Sequence, residues 1–242
     1  MINIALIKYS FENLRKRKLR SFLTILSVLI GITSITVLIS FGYGISSYVS
    51  EISNKMGNDK LIVQAKGFSF TGPSMDSNVI LSDSDLKKIR EVNGVSEATG
   101  VYMMSAEVEF DKKKKYAFMM GSDYKNHKAI ISEVYALTQL EGSELKDETD
   151  KAILGYSYKI KDKIFKQPVK LRDTIKINGK EVKVSGFYEE VGNPVDDSHV
   201  YMTKEAFEDV FNATNYQFIV IRSSPSENPT KLAEIVQEKL RN

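Results

Sequence analysis

From Ser21 to Ser50 the chain carries no charged side chain, and this run limits what the protein can be more than any other feature. Within it, Phe22 to Phe41 is twenty residues long, thirteen of them Leu, Ile, Val or Phe. As a helix such a stretch rises about 30 Å, the thickness of a bilayer's hydrocarbon core. Each apolar residue favours insertion by roughly 0.3–0.6 kcal/mol, with no charge in the run to oppose it. A helix is also the one conformation in which a lone segment satisfies its own backbone in lipid. The expectation is a transmembrane helix over residues 22–44. A cleaved leader would have a shorter apolar core, about 7–15 residues, and a small-x-small processing site. A buried soluble helix would need the solvated face that an uncharged run does not supply.

Charge gives the direction. Lys8, Arg15, Lys16, Arg17, Lys18 and Arg20 precede the run against Glu12 alone, whereas Glu51, Lys55, Asp59 and Lys60 nearly cancel beyond it. The positive-inside rule then places the N-terminus in the cytoplasm and residues from about 45 onward outside the cell membrane. The first 21 residues hold all of the net positive charge, since the remainder has 28 basic and 30 acidic side chains. A nucleic-acid partner is not expected on that balance. Residues 1–21 read instead as a basic, amphipathic cytoplasmic segment against lipid headgroups, with Ile4, Leu6, Ile7, Phe11 and Leu14 as its apolar face. Inside the span, Ser27 and Gly31 form a small-xxx-small pair that would let a second helix approach.

Residues 45–56 continue as a polar stalk helix closed by Gly57. The remaining chain, 57–242, reads as an α+β ectodomain. Lys60–Ala65 is a strand and Gly67–Ser77 a loop. Ser82, with Asp85 three residues on, caps a helix that ends at Gly94. Val101–Phe110 and Tyr116–Met120 form a hairpin around the tip Asp111–Lys115. Ile130, Val134 and Leu137 have helical spacing. Ala152–Leu154 is a strand ending at Gly155, and Ile160, Ile164 and Phe165 again suggest a helix. Asn178-Gly179 joins strands 173–177 and 181–187, the strongest hairpin signal present. Thr203 caps a helix after strand 200–202, strand 216–222 follows, and Asn228-Pro229 opens a last helix with Leu232, Ile235, Val236 and Leu240. Gly94, Gly155, Asn178, Gly179 and Gly186 are the expected structural turns. Two lobes are expected, 57–105 with 200–242 forming an outer lobe into which a hairpin-rich 106–199 is inserted.

Catalytic chemistry finds little support. There is no cysteine, no G-x-S-x-G, no phosphate-binding G-x-x-x-x-G-K-[ST], and only two histidines, His127 and His199. Glu189, Glu190, Asp196, Asp197 and His199 are the one polar constellation, at a spacing that matches no recognised metal site. No catalytic residue, metal ligand or cofactor-binding residue is assigned, and the chain is not expected to be an enzyme.

Several stretches, taken in order, resemble one family. They are Asn13–Thr24 leading into Leu29-Ile30-Gly31-Ile32, then Val92-Asn93-Gly94-Val95, then Ala152-Ile153-Leu154-Gly155, and finally Ile175–Gly179 leading to Val182–Phe187. Together the chain is similar to the N-terminal part of MacB-type ABC transporter permeases of the FtsX-like superfamily. That resemblance implies a first membrane helix, an extracytoplasmic core domain with a porter-like lobe and an inserted lobe, and three further membrane helices beyond this stretch. It implies a homodimer or heterodimer of permeases working with a separate cassette ATPase, which would bind the ATP, and mechanotransmission through the membrane helix. The alternative expectation is a single-pass receptor or adaptor with no transport role.

Overall fold

The structure, a computed structural model, describes residues 17–57, 59–64, 68–69, 72–73, 81–225 and 227–241. Arg15, Lys16 and most of the expected amphipathic segment lie outside the described residues. Two compact units are distinguished, one ending at Ser53 and one comprising the rest of the chain.

The first unit is a single element. Helix α1 runs without interruption over Lys18–Met56, 39 residues, so the expected span and stalk are one rod of about 58 Å. Every side chain from Phe22 to Ser50 is exposed. Its hydroxyls turn back on the helix: Thr24 Oγ1 donates to the Arg20 carbonyl, Ser27 Oγ to Leu23 and Thr36 Oγ1 to Ile32, at 2.9–3.0 Å. In lipid such bonds remove the cost of unpaired hydroxyls. Gly57, at φ +77°, ends the helix in the left-handed conformation that glycine reaches without strain.

The second unit is built on a nine-stranded sheet. Its elements, in chain order, are β1 (Lys60–Gln64), β2 (Phe68–Ser69), β3 (Gly72–Pro73), α2 (Asp83–Arg90), β4 (Val95–Phe110), β5 (Lys113–Ser122), α3 (Tyr124–Val134), β6 (Gln139–Gly142), β7 (Lys151–Leu154), β8 (Thr174–Ile177), β9 (Lys180–Tyr188), β10 (Val200–Thr203), α4 (Lys204–Phe211), β11 (Phe218–Ser223) and α5 (Pro229–Arg241). Short 3₁₀ turns lie at Tyr156–Lys159 and Asp196–Ser198. The sheet order is β1-β11-β4-β5-β10-β7-β9-β6; β2 and β3 pair only with each other. β8 pairs with both β4 and β9, so β4, β5, β10, β7, β9 and β8 form a closed ring of pairing. Most neighbours are antiparallel; β5–β10 and β7–β9 are parallel.

Two apolar cores occupy the two faces of the sheet. The larger gathers Val108, Met119, Leu154, Ile175, Val182, Val200 and Phe207 with Leu86 and Ile89 of α2 and Leu232 and Val236 of α5. The smaller packs Val101, Met103, Met120, Phe218 and Val220 under Ile130, Ile131 and Val134 of α3. The caps fall where the sequence places them. Ser82 and Asp85 form a reciprocal capping box, and Thr203 Oγ1 accepts from the Ala206 amide. Asn228 Oδ1 accepts from the Thr230 amide, with Pro229 as the first helical residue.

Four local expectations are corrected. β4 is 16 residues long and begins at Val95, so the expected lobe boundary near 106 falls inside a strand shared by both halves of the sheet. Its first part reads poorly because Gly100 must be small: a Cβ there would meet the Tyr216 ring at 2.3 Å. The β4–β5 turn is only Asp111-Lys112, both left-handed at φ 48° and 60°, so Lys113–Lys115 belong to β5. Residues 160–165 are turns instead of a helix, because Asp162 adopts φ 62°. Ile235 is half exposed and stays off the α5 core face.

Candidate functional site

The expected packing pair lies on one side of α1, four residues apart. Gly31 has nothing within 4 Å of where a Cβ would stand, and Ser27 is exposed. Arg17, Lys18 and Arg20 are exposed at the start of the rod. The helix thus presents an unbroken apolar surface bounded by cations at one end.

Four residues after the helix ends, the chain enters the sheet through Lys60, and there a linked set of charged side chains begins. Three strands place their residues in register: Lys60 of β1 faces Arg222 of β11, which faces Glu97 of β4. Two cations directly opposite each other on neighbouring strands repel. Glu133 of α3 resolves this, one carboxylate oxygen accepting from Lys60 Nζ at 2.7 Å and from Arg222 Nη2 at 2.8 Å. Asp59 accepts from Lys60 at 2.7 Å, and Arg222 Nη1 lies 3.6 Å from Glu97. The Lys60 side chain is only 7% exposed. Burial works against its charge, but its hydrogen bonds to Asp59 and Glu133 outweigh burial and hold its pKa above the usual lysine value. The hydrogen bond from Lys60 likewise lowers the Asp59 carboxyl.

The network continues through His127. Its Nδ1 is 2.8 Å from Glu97 Oε1, and its Nε2 is 3.2 Å from Arg90 Nη2. The ring thus lies between the Glu97 carboxylate and the Arg90 guanidinium. His127 is also where α3 bends, at φ −126° and ψ 22°. Arg90 closes the series by donating from Nε to the Ala98 carbonyl at 2.9 Å. Seven side chains from β1 and the residue before it, β11, β4, α3 and α2 are therefore linked in one polar chain. No motif in the sequence announces it, because its members are spread from residue 59 to 222. One signal was available: Arg222 continues the core-facing alternation of Phe218 and Val220, and a cation at a core position demands carboxylates around it.

A second network pins α2 and α4 to the other side. Tyr216 Oη donates to Asp83 at 2.6 Å and accepts from Lys204 Nζ at 2.9 Å, while Tyr102 Oη donates to Glu208 at 2.5 Å. The Tyr216 hydroxyl lowers the Asp83 pKa. Around these groups Tyr102 stacks on Phe207, centroids 5.2 Å apart, and Phe207 presses on Gly121, whose Cβ would meet it at 2.5 Å.

The remaining sequence candidates are structural in placement. Asp197 is buried and accepts from the Val191 and Gly192 amides, and Asp196 accepts from Asn193. His199 is buried edge-on to Phe118 and Tyr201, and burial lowers its pKa. Glu189 and Glu190 are exposed. Among the described residues no group of three or more such side chains is placed to hold a metal ion. Gly94 (φ +96°) and Asn178-Gly179 (φ 48° and 83°) form the expected turns. Gly155 instead joins β7 to a 3₁₀ turn, tight against the Asp197 carbonyl, and Gly186 lies within β9, where Glu141 O would be 2.8 Å from a Cβ.

A long apolar N-terminal helix followed by this mixed sheet defines a membrane-anchored α+β domain. Residues 21–239 match the MacB-like periplasmic core domain, and the chain belongs to that family, within the MacB/FtsX-like ABC transporter permeases. An uncharacterized ABC transporter permease of Methanocaldococcus jannaschii is 27% identical over 240 residues, covering 98% of this chain and 58% of that protein. The macrolide export ATP-binding/permease protein MacB of Chlorobium phaeobacteroides is 25% identical over 182 residues, 73% of this chain and 27% of that one. The chain thus spans a little over half, and about a quarter, of these two relatives. Among solved structures, the periplasmic region of MacB from Actinobacillus actinomycetemcomitans superposes with a TM-score of 0.60 at 17% identity, covering 78% of this chain and 86% of that one. The extracellular domain of the transporter YknZ from Gram-positive bacteria does so at 0.54 and 13%, over 76% and 94%. Both share the fold. The family is one of transporter permeases and not of classical enzymes.

Proposed function

We propose that this chain is the N-terminal part of a permease subunit that couples ATP hydrolysis by a separate cassette ATPase to movement of its ectodomain, for export or extraction of a substrate. The reading has the N-terminus in the cytoplasm, residues beyond the span outside, and a second permease copy or paralogue as dimer partner. ATP is bound by the partner ATPase. One observation carries it: α1 is continuous over 39 residues, from the basic end through the span to Met56, and only Gly57–Asp59 separates it from a strand of the sheet. About 20 residues fill a hydrocarbon core. The 15 residues of the helix beyond that core, 42–56, make a lever of about 22 Å. Displacement of its cytoplasmic end reaches Lys60 through three residues and meets the Glu133–Arg222–Glu97 network at once.

These 242 residues contain no cysteine, so once any cysteine in the remainder of the gene product is replaced the test is direct. Single cysteines replacing Lys18 and Lys113 are reacted with a membrane-impermeant maleimide in intact cells expressing the complete gene product with its cassette ATPase. Labelling of the second and protection of the first is expected. A further cysteine in place of Asp59 should change labelling rate when the ATPase is trapped with vanadate. Labelling of the Lys18 site, or no ATP-dependent change together with failure to co-purify any ATPase, would count against the coupling.

A further inference from the structure

Charge within the ectodomain is concentrated in one loop. Residues 159–172 contain Lys159, Lys161, Lys163, Lys166, Lys170 and Arg172 against Asp162 alone, while the rest of the chain beyond residue 21 has 22 basic and 29 acidic side chains. Apolar residues interleave with the cations. Phe165 and Val169 are buried in the larger core and fix the loop there, Phe165 against Phe110 and Tyr158. The backbone is fixed as well: Val169 N donates to Tyr158 O at 2.9 Å, Asp162 N to Phe165 O at 3.0 Å, and Arg172 N to Val184 O at 2.8 Å. Arg172 is held at φ 69°, a conformation a long side chain rarely adopts.

What this scaffold presents outward is amphipathic. Ile160 and Leu171 are 38% and 37% exposed, and Ile164 is half-buried. Lys159 pairs with Glu141, and Lys163 lies 4.0 Å from Glu190. Lys161, Lys166, Lys170 and Arg172 are exposed and make no ion pair with any described residue. The other lysine run differs. Lys112–Lys115 are balanced by Glu107, Glu109 and Asp111, and Lys114 pairs with Glu107 at 2.9 Å. Unpaired cations interleaved with exposed aliphatic side chains on a rigid loop match a ligand that is itself anionic at one end and apolar at the other.

We infer that loop 159–172 is a binding surface for anionic amphiphiles, Lys161, Lys166, Lys170 and Arg172 meeting a phosphate-bearing headgroup while Ile160 and Leu171 lie against its acyl chain. The inference does not depend on coupling to an ATPase. The full chain is held in phosphatidylcholine nanodiscs and tested for co-flotation with vesicles of 7:3 phosphatidylcholine:phosphatidylglycerol and of phosphatidylcholine alone. In parallel it is titrated with soluble dihexanoylphosphatidylglycerol and with inorganic phosphate. Capture by the anionic vesicles only, saturable binding of the short-chain lipid, and weak binding of phosphate are expected. Near an anionic surface each cation contributes about 1 kcal/mol, about fivefold at 1.4 kcal/mol per decade. The variant Lys161→Gln/Lys166→Gln/Lys170→Gln/Arg172→Gln should therefore lose at least 20-fold, allowing for salt screening, with its circular dichroism and melting curve unchanged.

The control Lys112→Gln/Lys113→Gln/Lys115→Gln removes nearby charge of the same sign and should stay within about twofold. Ile160→Ser/Leu171→Ser should weaken the short-chain lipid several-fold and leave phosphate unaffected. Three results would overturn the inference: equal loss in the hairpin control, equal affinity for lipid and phosphate with no effect of the serine variant, or undiminished vesicle capture by the quadruple variant.

Discussion

Helix α1 and the core-domain sheet are both rich in Leu, Ile, Val and Phe, yet they place those residues oppositely. On α1 Leu29, Ile30 and Ile32 are 56–62% exposed, whereas Ile89, Ile130, Phe187 and Phe207 are fully buried within the ectodomain. The sheet therefore supplies its own apolar medium, and the helix requires one from outside. The lesson is that a single substitution acts on anchoring or on folding according to which region it strikes, and seldom on both.

The sharpest way to break that contrast is a charge in mid-span. Ile30→Arg should cost about 3 kcal/mol of insertion, shifting the chain out of the membrane fraction, while the melting of the ectodomain stays unchanged. Gly121→Ala does the reverse. With Phe207 already at contact, the added methyl should cost about 1–3 kcal/mol of ectodomain stability, read as a lower Tm, with fractionation unaltered. Glu133→Ala should cost about as much, roughly 2 kcal/mol, because it leaves Lys60 and Arg222 facing each other with Lys60 largely buried. The added variant Lys60→Met should recover part of that loss, a coupling that a double-mutant cycle measures.

A smaller effect follows from pH. The native state holds His199 neutral, with its pKa depressed by burial, so the unfolded state binds more protons below the ordinary histidine value. Its contribution is complete above about pH 6.5 and is lost as pH falls through that value toward the folded pKa. Asp59 and Asp83, both depressed, add a second loss only below about pH 4. Thermal melts of the wild type should decline in these two steps, and His199→Gln should remove the first. The smallest expected effect concerns the helix pair: Ser27→Leu/Gly31→Leu should weaken self-association of α1 by about 1 kcal/mol in a membrane dimerisation assay and leave the ectodomain melt untouched.

The two regions also differed in how openly the sequence declares them. The span, the three helix caps and the Asn178-Gly179 turn were legible because each rests on local chemistry: hydropathy, a side-chain acceptor next to free amides, two left-handed residues. β6 was not, since the one large apolar residue of Gln139-Leu140-Glu141-Gly142, Leu140, is 41% exposed and the strand is held by backbone pairing with β9. The first residues of β4 were hidden because Gly100 answers to the ring of Tyr216, more than a hundred positions away. The charged network escaped for the same reason. Lys60, Glu97 and Glu133 look like ordinary surface residues until strand register puts them beside Arg222. What distant contacts decide, local pattern does not reveal.

Strand order has a consequence for how such a protein is made. Gln64, at the end of the first strand synthesised, pairs with Phe218, at the start of the last. At roughly 5–20 residues per second the ribosome needs about 8–30 s to produce the intervening chain of about 150 residues. Throughout that interval β1 has no neighbour to pair with, and β4 lacks one of its flanking partners. The nascent domain therefore completes its sheet only once β11 has been made, and until then a holding chaperone would matter most.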